Sequence, residues 1–463
     1  MNNVVEPSLG LREQTTNSFR KNNLSAFLIK STVVASLGGL LFGFDTAVIA
    51  GATKALVSLF SLTPASLGLT VSIALWGTII GAMVAGIPGD LYGRRDSLRG
   101  LAILFFVSAI GCATAWNWFS FVAFRFLAGL AIGGSSVLAP MYIAEIAPAR
   151  WRGRLVMFFQ FSVVLGIVLA YFSNYVIGTL SLGAGEWRWK LGISAAPAVL
   201  FFFMLFYIPR SPRWLAKKGR IEEARLVLQQ AGNGDAEEDL RQIVQSIEAE
   251  CEQSKQRLFS RRYRYPVLLA VLVGMFNQLA GINSILYYLN DIFERAGFTK
   301  VSGDKQAVII GATNLLFTTI AMTVIDKLGR KAMLLIGSVG TSVCLAVVAY
   351  QFQTGRYERL LLFPLIGYIA FFAFSQGAVI WVYISEVFPT SVRAKGQSLG
   401  SFSHWFMTAA LSWIFPLLSA HSAAVPFGFF SAMMVIQFFV VLFVFPETKG
   451  ITLEQMEKKL GIV

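Results

Sequence analysis

The sequence predicts an all-α polytopic membrane protein, with twelve transmembrane helices in two six-helix bundles and a cytoplasmic helical linker between them. Three observations carry that prediction. Hydrophobic residues fill 56% of the 463 positions and charged residues only 14%, where a soluble domain carries about 25% charged. Apolar stretches of roughly 20 residues, long enough to cross a bilayer, recur along the chain. Short charged motifs repeat between the two halves. The net charge of +14 would suggest nucleic acid in a soluble protein. In a membrane protein it bears first on topology.

The N-terminal segment, 1–30, is polar. The long apolar run after it reads as a retained span rather than a cleaved signal. Spans are expected at 31–51, 68–88, 100–116, 119–144, 155–179 and 191–208, forming an N-terminal bundle over 31–209. The hydrophilic segment 210–265 holds two charged, helix-compatible stretches, 220–230 and 236–258. Spans at 266–293, 307–325, 332–351, 360–387, 397–420 and 425–446 form a C-terminal bundle over 266–446, and 447–463 is a tail. Of the 39 basic residues, 30 fall on the side that holds the termini and linker, 8 on the other, and Arg125 inside a span. This asymmetry places both termini in the cytoplasm and removes the case for a nucleic-acid partner. Cys112, Cys251 and Cys344 show neither metal nor disulfide spacing. No nucleophile–base set or phosphate loop is evident, so neither an enzyme nor a cofactor is expected.

The halves repeat. Asp90-Leu-Tyr-Gly-Arg94-Arg95 follows span 2 and Asp326-Lys-Leu-Gly-Arg330-Lys331 follows span 8, 236 residues later. Glu145-Ile-Ala-Pro148 ends span 4 and Glu386-Val-Phe-Pro389 ends span 10, at an offset of 241. Pro209-Arg-Ser-Pro212 and Pro446-Glu-Thr448 end spans 6 and 12, at an offset of 237. Two homologous bundles follow, with a substrate site expected at the midplane between them and rocking of one half against the other.

Two ionisable residues interrupt the apolar background: Asp45 in span 1 and Arg125 in span 4. A charge at the bilayer centre costs about 2.5–3.5 kcal/mol on insertion scales, so each needs a partner or a task. They are natural partners. A permanent structural ion pair and a proton site both remain open. Burial raises an Asp pKa and a nearby Arg lowers it, so a moving Arg could load and release a proton. Isolated intramembrane amides form a second group. Gln160, Asn277, Gln278, Asn283 and Asn314 could bind interhelically, or could meet a neutral polyhydroxylated ligand as donors and acceptors. Gln278 and Asn283 lie about 140° apart on a straight helix, so facing one ligand requires a break near Gly281. Trp381 sits mid-span after Gln376-Gly377, and Phe42 lies beside Asp45.

At these residues the chain resembles a sugar porter of the major facilitator superfamily, from about Ala35 to Glu457. The motifs are Gly43-Phe-Asp45, Gly89-Asp90-Leu-Tyr-Gly-Arg-Arg, Arg125-Phe-Leu-Ala-Gly129, Tyr142-Ile-Ala-Glu145 with Arg152-Gly153-Arg154, Pro209-Arg-Ser-Pro-Arg213-Trp214, Gln278-Leu-Ala-Gly281-Ile-Asn283, Ser385-Glu386-Val-Phe-Pro389 and Pro446-Glu-Thr-Lys-Gly450. Bacterial sugar–proton symporters resemble it most. The resemblance implies monosaccharide–proton symport, driven by the proton gradient, by a monomer in the bacterial inner membrane. An uncoupled facilitator of the same fold is the alternative, and Asp45 argues against it. By the same resemblance, Asp45 and Arg125 couple the proton. Phe42, Gln160, Asn277, Gln278, Asn283, Asn314, Gly377, Trp381, His404 and Trp405 surround sugar. Asp90, Arg94, Arg95, Glu145, Arg152, Asp326, Arg330, Glu386 and Arg393 form a cytoplasmic ion-pair lock, with Glu386 and Arg393 as one expected pair. Four positions depart from the family: Asn277 and His404 replace Gln, Thr408 replaces Asn, and Arg210 replaces the Glu of Pro-Glu-Ser-Pro. The first three leave the identity of the sugar open.

Overall fold

The computed structural model describes residues 25–232, 236–253, 258–389, 392–451 and 453–460; most of the segment expected at 1–30 and the last three residues of the tail lie outside these. The first half contains α1 (Ala26–Val48), α2 (Thr53–Phe60), α3 (Pro64–Val84), α4 (Gly86–Leu91), α5 (Arg94–Thr114), α6 (Trp118–Ile146), α7 (Ala149–Thr179), α8 (Glu186–Gly192) and α9 (Ala195–Met204). The linker forms α10 (Pro212–Lys217), α11 (Ile221–Gln230) and α12 (Ala236–Gln253). The second half contains α13 (Arg264–Leu279), α14 (Ile282–Tyr287), α15 (Leu289–Arg295), α16 (Lys300–Leu328), α17 (Arg330–Thr354), α18 (Leu362–Phe374), α19 (Gln376–Glu386), α20 (Arg393–His421), α21 (Ala424–Val444) and α22 (Leu453–Lys459).

Caps fix several of these starts. The side chains of Ser25, Thr63 and Thr299 each accept a backbone N–H in the first turn of α1, α3 and α16. Asn117 and Ser120 form a reciprocal capping box at α6. Ten helical runs among the described residues have the length and apolarity of a span. The sixth and eleventh expected spans differ from that norm. The sixth is broken between α8 and α9, because Pro197 lacks an N–H and its ring opposes the carbonyl of Ile193. The eleventh is one continuous helix, α20, whose first turns carry Arg393, Lys395 and Gln397 and dilute its apolar character.

Packing divides the molecule by depth. At the linker end each half has its own core. One joins α1, α5, α6 and α9 to the linker through Trp214, Leu215, Val227 and Leu228. The other joins α13, α17, α19 and α21 to Met456 of α22 and to Leu460 just after it. Toward the opposite end a single core spans both halves, from Phe44, Leu56 and Trp187 to Ile310, Phe415 and Phe430. The halves are therefore fused at one end and separate at the other.

The repeat is visible in atomic detail. Gly93 and Gly329 both take positive φ, +91° and +93°, just before α5 and α17. Arg94 and Arg330 then donate back to the carbonyls of Gly89 and Ile325, at 2.7 and 3.2 Å. The Tyr142 hydroxyl donates to the Pro209 carbonyl and Tyr383 to that of Pro446, at 2.9 and 3.1 Å. The halves part company at one point. Glu447 accepts the backbone N–H groups of Arg330 and Lys331 and so caps α17. The equivalent Arg210 pairs instead with Asp96 in the first turn of α5, at 2.9 Å.

Burial opposes ionisation of Glu447, but the four backbone N–H groups of Lys449, Arg330, Lys331 and Thr448 outweigh it and hold the carboxyl below the usual Glu range. A depressed folded pKa stabilises above the unfolded value and is lost as pH falls. Glu447→Gln should therefore lower thermal stability at neutral pH by about 1 kcal/mol. The gap to wild type should close on acidification below the ordinary Glu range, as read by melting in detergent.

Candidate functional site

A central cavity of about 120 Å³ lies between the halves. All ten residues expected around a sugar line it: Phe42 and Gln160 from the first half, and Asn277, Gln278, Asn283, Asn314, Gly377, Trp381, His404 and Trp405 from the second. The helix break anticipated near Gly281 brings them together. Gly281 adopts φ +83° between α13 and α14, a conformation that favours glycine. A Cβ there would lie 2.3 Å from Phe430. The break turns Gln278 and Asn283 toward each other, and Asn283 Nδ2 donates to Gln278 Oε1 at 3.0 Å.

The amides form a chain. Asn277 Nδ2 donates to the Gln376 carbonyl at 3.0 Å, and Gln278 Nε2 donates to Asn277 Oδ1 at 2.9 Å. The His404 ring faces Gln278 Nε2, with its nitrogens 3.4 and 3.5 Å away. Trp381 and Trp405 flank that ring at centroid distances of 5.1 and 5.0 Å, and Phe42 meets Trp405 across the halves at 5.4 Å. The wall thus offers neutral donors and acceptors beside aromatic faces and no charged side chain. That chemistry suits a ligand with many hydroxyls and an apolar ring face.

Two polar lining residues were not anticipated, Thr46 and Thr318. Thr318 sits one turn from Asn314 and donates to its Oδ1 at 3.4 Å. That i, i+4 spacing is the signal in the sequence. Thr46 follows Asp45 directly. Thr408, expected near the site, is buried and donates to the His404 carbonyl at 2.7 Å, so it supports the ring without lining the cavity.

Asp45 and Arg125 meet outside the cavity wall. Arg125 Nη1 donates to both carboxylate oxygens, at 2.8 and 2.9 Å. The guanidinium is fully buried and the carboxylate nearly so. Phe42 and Thr46, on the same helix as Asp45, reach the cavity, so α1 links the pair to the site.

Among the described residues, members of the expected cytoplasmic lock meet as two clusters, one in each half. Arg94 bonds Asp90 at 2.7 Å and Glu145 at 3.1 Å. Arg330 bonds Asp326 at 3.1 Å and Glu386 at 2.7 Å. The Ser211 hydroxyl donates to Glu145 and Thr448 to Glu386, at 2.5 and 2.6 Å, which explains the repeated Pro-x-Ser/Thr motif. Glu386 thus takes Arg330, where Arg393 was expected; Arg393 donates to the Phe388 carbonyl. Arg95 turns to Asp96 and the Ile208 carbonyl, and Arg152 is exposed. The linker grips the first cluster: Lys217 meets Asp90 at 3.2 Å and Trp214 Nε1 donates to the Asp90 carbonyl at 3.0 Å.

Two pseudo-equivalent helical bundles, a polar cavity between them and a buried ion pair beside it define a secondary transporter. The chain belongs to the Sugar (and other) transporter family, whose model matches residues 31–460. It is 35% identical over 446 residues to the arabinose-proton symporter of Bacillus subtilis (strain 168), covering 95% of this chain and 96% of that one. It is 35% identical over 474 residues to the D-xylose-proton symporter of Escherichia coli (strain K12), covering 94% and 96%. The inward open structure of the xylose transporter XylE from E. coli superposes with a TM-score of 0.84 at 34% identity, covering 94% of this chain and 100% of that chain.

Gly281→Ala should lower thermal stability by about 1–2 kcal/mol from its left-handed backbone alone, with a further loss from the Phe430 overlap. Phe430→Ala in the same chain should recover part of the second loss. Additive losses in the double variant would refute that contact.

Proposed function

We propose that the chain is a monosaccharide–proton symporter of the bacterial inner membrane, with both termini and the linker cytoplasmic. The observation that carries this reading is Asp45 bound by Arg125 within one turn of cavity-lining residues. A facilitator needs the cavity alone, and a buried carboxylate would only burden it. The names of the relatives support sugar and proton as the two substrates. Arabinose and xylose are both pentoses, and the neutral amide-rich wall is suited to either. No cofactor is required. One proton crossing 100 mV supplies about 2.3 kcal/mol, enough to concentrate a neutral sugar roughly 50-fold.

The separate cores at the linker end and the fused core opposite correspond to an inward-facing state. There Arg125 is bonded to both carboxylate oxygens of Asp45. When the halves rock to open the other face, Arg125 withdraws, Asp45 takes a proton, and the hydroxylated ligand is held by Gln278, Asn283 and Asn314 between Trp381 and Phe42. The chain carries this cycle as a monomer, because both walls of the cavity come from one polypeptide.

Asp45→Asn should abolish uphill uptake of xylose or arabinose into proteoliposomes while leaving counterflow exchange within about threefold of wild type. Undiminished accumulation in that variant would sink the coupling role. His404→Gln restores an amide at the centre of the wall. It should alter sugar affinity by about tenfold, from loss or gain of one hydrogen bond to a hydroxyl. Unchanged affinity across arabinose, xylose and glucose in a folded variant would remove His404 from the ligand contacts.

A further inference from the structure

At the end opposite the linker lie four charges that the sugar and proton chemistry does not use. Lys190 of α8 is completely buried, and Asp304 of α16 is 1% exposed. They belong to opposite halves and meet at 3.0 Å. Glu186, also of α8, forms an ion pair with Lys190 at 2.9 Å and accepts from Lys300 of α16 at 3.0 Å. Asn290 Nδ2 donates to Asp304 Oδ1. The set holds two cations and two anions, so closing it buries no net charge. Gly178 of α7 leaves room for it: a Cβ there would stand 2.8 Å from Asp304 Oδ2. Nearby, Lys54 pairs with Glu294, and Thr53 donates to Asp291 at 3.1 Å, again across the halves.

We propose that Lys190, Glu186, Asp304 and Lys300 form an outer ionic latch, which holds the face opposite the linker closed and must separate each time that face opens. The inference rests on the alternating-access reading of function. Its physical basis is the asymmetry of buried ion pairs. Intact, such a pair roughly balances its desolvation; with one partner removed, the other charge is left buried and uncompensated. In the closed state that stranded charge has no water. In the open state it does. Removing either member therefore drives the molecule toward opening on that face. Lys190 and Asp304 act as positioning residues, because they set which face is open without touching sugar.

Ala307 provides the reporter. It lies one turn from Asp304 on α16 and is 1% exposed in the closed interface. The test uses Ala307→Cys in a chain with Cys112, Cys251 and Cys344 replaced by Ser. A membrane-impermeant maleimide is applied from the face opposite the linker, without sugar or proton gradient. Lys190→Gln and Asp304→Asn should each raise the labelling rate about tenfold. The neutral double variant Lys190→Gln/Asp304→Asn strands neither charge of the pair and should return the rate to within about threefold of the parent. Unchanged rates in the folded single variants, or acceleration in the double variant equal to that of the singles, would overturn the latch. Lys300→Gln, at the wetter rim, decides the matter where a buried variant fails to fold. A rise of about threefold supports the latch and an unchanged rate refutes it. Labelling needs neither sugar nor proton, so a transporter of some other solute would still give the latch result.

Discussion

The Asp45–Arg125 ion pair is the interaction on which the rest of this molecule depends. Neither charge is tolerable alone in an apolar helical bundle, and together they tie α1 to α6 in the first half. The pair stands beside the cavity rather than in it. Helix α1 carries Phe42, Asp45 and Thr46 in little more than one turn, so it joins the pair to the cavity. Under the proposed coupling, a proton on Asp45 would release Arg125 and free that helix to shift.

The other charges sort by depth. Toward the linker, Arg94 and Arg330 staple each half internally, with the same partners repeated at the pseudo-equivalent place. They make each bundle rigid near the end where the halves separate. Toward the opposite end, Lys190 and Asp304 join one half to the other. Rigid halves with a separable outer seam are what rocking between two states demands. The linker helices follow the first half, through Trp214, Lys217 and the Asp90 loop, so the linker moves with that half.

Much of this was legible in the sequence for a simple reason. Polar residues in an apolar run have few places to go, so Asp45, Arg125 and the amides of α13 and α14 announced themselves. The Gly281 break followed from the angle between Gln278 and Asn283. Less legible was pairing among charges at the helix ends. Arg393 lies just after Glu386 in the sequence and Arg330 belongs to a distant motif, so only the fold brings Arg330 to Glu386. Lys190, Glu186, Lys300 and Asp304 read as ordinary loop charges, because burial between two halves leaves no trace in hydropathy. The broken sixth span had a local signal, Pro197, that a count of apolar residues overlooks.

The central claim is that a proton crosses with each sugar through Asp45. It is tested most directly by charge movement on a supported membrane carrying reconstituted protein. With no imposed voltage or pH gradient, a sudden rise in xylose or arabinose should drive positive charge in the direction of sugar movement. That current should vanish in Asp45→Asn while bound sugar is still detected. Sugar uptake by the wild-type chain without any charge displacement would contradict the claim and leave an uncoupled carrier of the same fold.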